Sequence, residues 1–275
     1  MNNKRLIRPP FHWVFLGIFA SLAWLLGDDT GQTRSGNERP AQAVVAEVID
    51  GDTIELVSGE RVRYLGINAP EVRVKRGSRW AAQPQPYGKE ATAFNRKLVQ
   101  GKEVQLEYDT EIEDDYGRLL AYVRIDSVLV NEELVKEGLA LVDVRMPNVK
   151  YQKDLLRSQK KAKTQEIGIW AAAARHRIAA DDAHRHLDEF ALVHGTIRRV
   201  HSGKGKWYLH FDGDSHNDFT AVIYRDYLHL MIPDGADPRD VFQNKKAQVY
   251  GFIRRSPGPV VVISAPTQID VLEEP

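Results

Sequence analysis

The stretch VIDGDTIELVSGERVRYLGINAPE runs from Val48 to Glu71. Around it, Val44 to Ile49, Thr53 to Val57 and Arg61 to Ile67 are short runs rich in β-branched residues, punctuated by DGD and SGE. That pattern predicts a three-strand meander joined by tight turns. Charges interrupt it at particular places. Asp50 and Asp52 flank a glycine, Arg63 breaks an apolar alternation, and Glu71 follows Pro70. Taken singly, each has an ordinary reading. Asp and Gly favour turns for local reasons, Arg63 is an exposed strand arginine, and Glu71 is a solvated loop residue. Taken together, they place two kinds of charge at the ends of neighbouring strands, where they can converge on one ligand.

Downstream, the segment Asn68 to Pro86 reads as a loop. Its basic residues Lys75, Arg76 and Arg79 stand beside Trp80, which suits a nucleic-acid strand whose bases stack while its phosphates are followed by cations. The plain alternative is an exposed loop. Ala91, Phe94, Leu98 and Val99 then recur at helical spacing, with Gly101 as a stop. KEVQLEYD and RLLAYVRI alternate as strands around the turn EDDYG, NEELVKEG is a short helix, LALVDV a strand and YQKDLLRSQKKAKTQE a longer helix. The Ala- and His-rich segment 171–187 reads as a helical connector, since alanine favours helix. Five further strand-like runs follow, with a helical piece between the third and fourth, an order that suits an OB-type barrel. The fold class expected is therefore mainly β with helices (α+β). A five-stranded OB-type barrel spans 43–170, and a second, smaller OB-like barrel spans 188–275.

Composition narrows the function. The 275 residues carry 38 Lys plus Arg and 38 Asp plus Glu, so the formal net charge is zero and no basic field advertises a nucleic-acid partner. Phosphate affinity then requires a local site or a bound cation. Cysteine is absent, which excludes disulfide partners and thiolate chemistry. At the N-terminus, Lys4, Arg5 and Arg8 precede a run from Phe11 to Gly27 without Asp, Glu, Lys or Arg. A basic flank followed by an apolar core has the order of an export signal, and Ser21 to Ala23 offers small residues for cleavage. An uncleaved anchor in contact with the membrane and a buried helix are the alternatives. Segment 1–27 is expected to be a signal peptide or membrane anchor and 28–42 a polar linker, with the protein secreted or held in the cell envelope.

Residues from about Val44 to Trp170 resemble the staphylococcal nuclease (thermonuclease) family. The matching pieces are VIDGDTI, VRYLGINAPE, YGKEATAF, DDYGRLLAYV, VNEELVKEGLALV and IGIW, in the family's order. The resemblance implies a Ca²⁺-dependent nuclease acting on DNA and RNA and leaving 3′-phosphate ends. It implies that Asp52 ligates the metal, that Asn68 stands where the family has a second ligating aspartate, and that Ala69 ligates through its main-chain carbonyl. It implies Glu71 as general base, Arg63 as the group that grips the phosphate, and Arg118 as the second arginine stabilising the transition state. The residue types suit that chemistry: hard cations take oxygen ligands, and arginine's planar fork is always charged. There are two departures. Asn68 removes a negative charge from the metal site, which weakens calcium affinity. VDVRMPN offers Asp143 and Arg145 where the family uses a tyrosine pair to hold a base. For Arg118 the plain alternative is an ion pair with Asp114 or Asp115.

Other candidates carry less. His176, His184 and His186 hint at a transition metal, but no acidic or cysteine partner completes a recognisable spacing. SGKGKW lacks the full P-loop pattern and reads as a turn. In the second barrel, Lys204, Lys206 and Trp207 suit a single strand, against a reading in which Trp207 is core. The functional readings are thus a monomeric nuclease favouring single-stranded DNA or RNA, a non-catalytic nucleic-acid-binding module, and an envelope adaptor.

Overall fold

The computed structural model describes residues 39–76, 79–82, 84–211 and 218–272, the side chains of 73–82 excepted. The expected signal segment 1–27 and most of the linker fall outside the described residues. Among the described residues no helix is long and apolar enough to cross a membrane. Pro40–Pro275 form one compact unit.

The meander is present: β1 (Gln42–Val48), β2 (Thr53–Leu56) and β3 (Arg61–Tyr64) pair antiparallel in sequence. A short β4 (Ile67–Asn68) follows. Within the expected loop, β5 (Arg73–Arg76) and β6 (Arg79–Ala82) form a small hairpin. Helix α1 (Gly88–Val99) leads to β7 (Glu103–Glu107) and β8 (Leu119–Ile125). β1 pairs β7, β7 pairs β8, and β8 returns to pair parallel with β3, closing a five-stranded barrel of the OB type. Alternation drives the closure, because Val45, Val48, Ile54, Leu56, Val62, Tyr64, Leu119 and Ala121 all point inward and are buried. The β3–β8 register aligns Val62 with Leu119 and Arg63 with Leu120. Arg118, one residue before β8, is thereby brought to the same barrel mouth as Arg63.

After β9 (Val128–Leu129) come α2 (Val130–Lys136), β10 (Leu141–Val142), α3 (Gln152–Thr164) and α4 (Ile169–Arg175). β10 pairs with β4, Leu141 opposite Asn68. The expected helical connector 171–187 is helical only at its ends. Beyond α4 it becomes β11 (Arg177–Ala179), which pairs parallel with the next strand, and then a 3₁₀ turn over Ala180–Arg185. Burial of Ile178 and Ala180 against the second core outweighs alanine's helix preference here.

The C-terminal part is a curled sheet. Its strands are β12 (Phe190–Gly203), β13 (Lys206–Phe211), β14 (Thr220–Tyr224), β15 (Lys246–Phe252), β16 (Arg254–Arg255), β17 (Pro259–Ile263) and β18 (Ile269–Leu272), with α5 (Arg225–Met231) and α6 (Pro238–Phe242) between β14 and β15. The order is β16-β17-β14-β13-β12-β15-β18, with β11 on β12. The helical piece therefore sits between the third and fourth strands, as expected, while the sheet carries more strands than five.

The barrel and the curled sheet are joined by a shared apolar cluster of Leu141, Ala162, Ile169, Trp170, Ala173, Phe190 and Leu192. Trp170 lies edge-on to Phe190 at 6.1 Å and against Tyr250 at 5.8 Å. It is seated there by a close backbone crossing in which Ile169 N donates to Gly138 O (3.0 Å). Gly138 and Gly168 both have φ of 60°, and a Cβ on either would collide with the backbone of the other's segment. Trp170→Ala is expected to destabilise the protein by about 3–5 kcal/mol, measured by chemical denaturation. Trp170→Phe should cost much less, because the buried indole N–H has no hydrogen-bond partner to lose.

Candidate active site

The site begins at the DGD turn. Asp50 Oδ1 accepts the Asp52 backbone N–H at 3.0 Å, an Asx-type turn that fixes the loop locally. Gly51 is required by space, since a Cβ there would lie 2.5 Å from Ala69 Cβ and 2.8 Å from Ala91 Cβ. The turn thus presses against the segment after β4. A second support comes from below: Tyr64 donates to Asn95 Oδ1 (2.9 Å), and Asn95 Nδ2 donates to Asp50 O (3.2 Å).

Arg63 is the centre of the arrangement. Its guanidinium donates to Tyr64 O, Ile67 O and Asn68 Oδ1, each at 2.9 Å, and pairs with Asp52 Oδ2 at 3.1 Å. Asp52 Oδ2 also accepts the Ala69 N–H at 2.5 Å, and Asp52 Oδ1 accepts Thr53 Oγ1 at 3.2 Å. The Asp52 side chain is only 7% exposed. Burial pushes its carboxyl up to about 7, more than the pull of Arg63 and the Ala69 N–H offsets. Asp52, Asn68 and Ala69 are therefore brought together around one arginine.

These donors suit a hard cation in type, being carboxylate, amide and main-chain oxygens. The fit is partial. Asn68 Oδ1 and Asp52 Oδ2 are both engaged by Arg63, and Asn68 contributes no charge. A bound divalent ion would have to share those oxygens with the guanidinium.

Glu71 is held by its backbone. Its N–H donates to Gln85 Oε1 (3.0 Å), and its carbonyl accepts the Gln85 N–H (2.7 Å). Gly88 lets α1 start directly against this segment, where a Cβ would meet the Glu71 and Pro70 carbonyls. The Glu71 side chain is exposed to the cleft. Desolvation and then Asp50 raise its pKa, against the opposing charges of Arg63, Arg254 and Arg118. Arg118 pairs with Asp114, at 2.8 Å from Nε and 2.7 Å from Nη2 to Oδ2, and is 30% exposed. The ordinary pairing and the convergent one are thus both present. Asp114 is partly desolvated, which alone would raise it. Its bonds from the Arg118 side chain and from the Arg118 and Tyr116 N–H groups outweigh this and hold its pKa below the usual range. Arg63, Asn68, Glu71 and Arg118 line one cleft of about 500 Å³, together with Glu111, Glu113, Asp143 and Arg145.

The other candidates separate. Lys75, Arg76, Arg79 and Trp80 lie on the β5–β6 hairpin, and their side chains fall outside the described residues. Lys204 is in the β12–β13 turn with φ of 50°. Lys206 Nζ stands over the Tyr224 ring at 4.5 Å. Trp207 is half-buried against the second core. His184 Nδ1 contacts Asp181 O, whereas His176 Nε2 and His186 Nδ1 both reach Glu189 Oε2, at 2.5 and 3.0 Å. The fold supplies the acidic partner that sequence spacing did not reveal, because Glu189 lies across the turn from both rings. Sequence reading also missed Gln85 and Asn95, which position the two charged loops, and Arg254, whose charge reaches Glu71 from the second sheet. An isolated Gln or Asn carries no motif, so only the fold exposes its partners.

Residues 61–172 match the family model described as staphylococcal nuclease homologue. The chain is 39% identical over 150 residues to the thermonuclease of Staphylococcus intermedius, covering 54% of this chain and 86% of that protein. It is 41% identical over 130 residues to the thermonuclease of Staphylococcus hyicus, covering 46% and 74%. It is 39% identical over 147 residues to the endonuclease YncB of Bacillus subtilis strain 168, covering 51% and 67%. With Arg63, Glu71 and Arg118 on one cleft at the mouth of a closed five-stranded barrel, and with this degree of identity across most of such a relative, the chain belongs to the staphylococcal nuclease family.

Proposed function

We propose that this protein is a Ca²⁺-dependent nuclease that hydrolyses phosphodiester bonds of DNA and RNA and leaves 3′-phosphate ends. The observation that carries the reading is the common cleft of Arg63, Glu71 and Arg118 beside the Asp52 carboxylate and the Asn68 amide oxygen. Glu71 takes a proton from water as the water oxygen attacks phosphorus. Its raised pKa makes it a better proton acceptor than an ordinary surface carboxylate. Charge grows on the phosphoryl oxygens, and Arg63 and Arg118 neutralise it from two sides. The bond to the 5′ oxygen breaks, that oxygen takes up a proton from solvent water while Glu71 returns its own to solvent, and the phosphate stays on the 3′ side. Calcium, held by Asp52, Asn68 and the Ala69 carbonyl, would supply additional positive charge at a non-bridging oxygen. Arg63 is pre-oriented by its two carbonyl bonds, so its geometry needs no substrate to form. The order of basic flank and uncharged run at the N-terminus supports export of the enzyme to the envelope or medium.

Replacing Arg63, Glu71 or Arg118 with Ala should lower turnover on single-stranded DNA by about 100-fold or more. Wild-type rates in the Glu71→Ala protein would remove that residue from the mechanism and favour the non-catalytic module.

Asn68→Asp should lower the calcium concentration for half-maximal activity, because it restores a charged oxygen ligand. An unchanged midpoint in a folded variant would mean that position 68 does not ligate.

Asp114 is lowered in the folded state, so its contribution to stability is present above its unfolded value and is lost as pH falls through its folded one. Asp114→Asn should therefore reduce stability at neutral pH and flatten the loss on acidification. It should also slow turnover by about 10-fold by releasing Arg118. Denaturation curves across the acid range, and kcat at neutral pH, check both parts.

A further inference from the structure

A second cleft, of about 480 Å³, opens between the barrel and the curled sheet. Asn68, Asp143 and Arg145 line both this cleft and the candidate catalytic one, so the two adjoin. One wall belongs to the barrel, through Arg145 and Met146, and the other to the C-terminal sheet, through Tyr224, Phe252 and Arg254.

The walls are fixed to each other. Tyr227 donates to Asp143 Oδ1 at 2.6 Å, and Arg145 Nη2 pairs with Asp143 Oδ2 at 2.9 Å. The Asp143 charge is thereby satisfied within the wall, while Arg145 remains 77% exposed on the shared rim. Arg254, over the Phe252 ring at 5.3 Å and paired with Asp188 at 3.2 Å, carries the charge that reaches Glu71. Tyr224 is 38% exposed and braced edge-on by Tyr227 at 6.2 Å. Lys206 stands just beyond, over the Tyr224 ring. Asp226 also lines the cleft, so its field is mixed rather than purely positive.

The region thus alternates a cation whose charge reaches Glu71, an exposed aromatic ring and a second cation over that ring. That alternation suits a single nucleic-acid strand, in which phosphates meet guanidinium or ammonium groups and a base stacks on a ring. We infer that the C-terminal sheet supplies an extension of the substrate cleft, which binds the nucleotides of a single strand beyond the scissile phosphate, with a phosphate on Arg254 and a base against Tyr224. The inference rests on the nuclease reading above.

The test uses the full chain and 5′-fluorescein-labelled oligothymidylates, a dinucleotide and a strand of about 16 nucleotides. Kinetics are measured with the Tyr224→Ala, Tyr224→Phe and Arg254→Gln proteins. Binding of the longer strand is followed by fluorescence anisotropy with the same substitutions in a Glu71→Gln background. Tyr224→Ala and Arg254→Gln should each raise KM for the longer strand, and its Kd, by about 10-fold, with a much smaller change in kcat. The ratio of long-strand to dinucleotide kcat/KM should fall by the same factor, and Tyr224→Phe should restore it because the ring is kept. The inference is overturned if KM and Kd for the longer strand stay within about two-fold. It is equally overturned if the loss is as large on the dinucleotide, or if Tyr224→Phe behaves like Tyr224→Ala. Melting curves identify any variant that fails to fold, and Arg254→Gln, at a strand end, then carries the test. Absence of cleavage of either substrate by the parent chain would sink the nuclease reading instead, and the anisotropy would still decide the cleft.

Discussion

The Arg63 guanidinium is the constraint on which the site depends. It spans the carbonyls of Tyr64 and Ile67, the Asn68 amide oxygen and the Asp52 carboxylate. These four partners come from the DGD turn, the end of β3 and the short β4. Fixing one cation among them therefore sets the relative position of these three segments. A partly buried arginine is stable only with its donors satisfied and its charge balanced, and Asp52 does both here. The raised pKa of Asp52 reports the cost of keeping a carboxylate in that place. The site holds itself in shape through the same charges that the proposed chemistry uses.

The C-terminal sheet is tied to the same region from behind. Ser264 Oγ donates to Val142 O (2.7 Å), and Gln159 Oε1 accepts the Val142 N–H (2.6 Å). Val142 lies on β10, whose neighbouring residue Leu141 pairs with Asn68 on β4. Lys163 adds a clamp, with Nζ 2.8 Å from both Asp270 oxygens and from Thr267 O, and 4.0 Å from the Tyr250 ring centre. Together with the Trp170 cluster, these contacts make the second sheet part of the support for Asn68 rather than a freely hinged appendage. A change at Ser264 or Gln159 thus acts on the candidate metal position through the β10–β4 pairing.

Family membership rests on the barrel, whereas the roles of individual residues rest on geometry and chemistry. The matched region ends at residue 172, so the C-terminal sheet has no counterpart in the family model. The part proposed for it in substrate binding rests on where Arg254 and Tyr224 stand. The same holds for Asn68: its amide oxygen is bound to Arg63, and a cation there would compete with the guanidinium for it.

The sequence by itself determined the barrel strands, α1 and the order of elements in the C-terminal half, and through its resemblance to the family it pointed to Arg63, Glu71, Arg118 and Asp52 as candidates. Those signals are local: β-branched alternation, turn residues, helical spacing and short motifs such as Val48 to Glu71 and DDYGRLLAYV. Tertiary structure decided the rest. The parallel β3–β8 pairing brings Arg118 to Arg63 across more than fifty residues, and no local pattern encodes a register between distant strands. The connector from 171 to 187 broke its helical expectation because Ile178 gains more by pairing and burial than alanine gains by helix. Gln85, Asn95 and Arg254 acquire their roles only from neighbours remote in sequence, and Glu189 from a turn that brings two histidines to it. A polar side chain is ordinary until folding supplies its partner, and long-range packing supplies it.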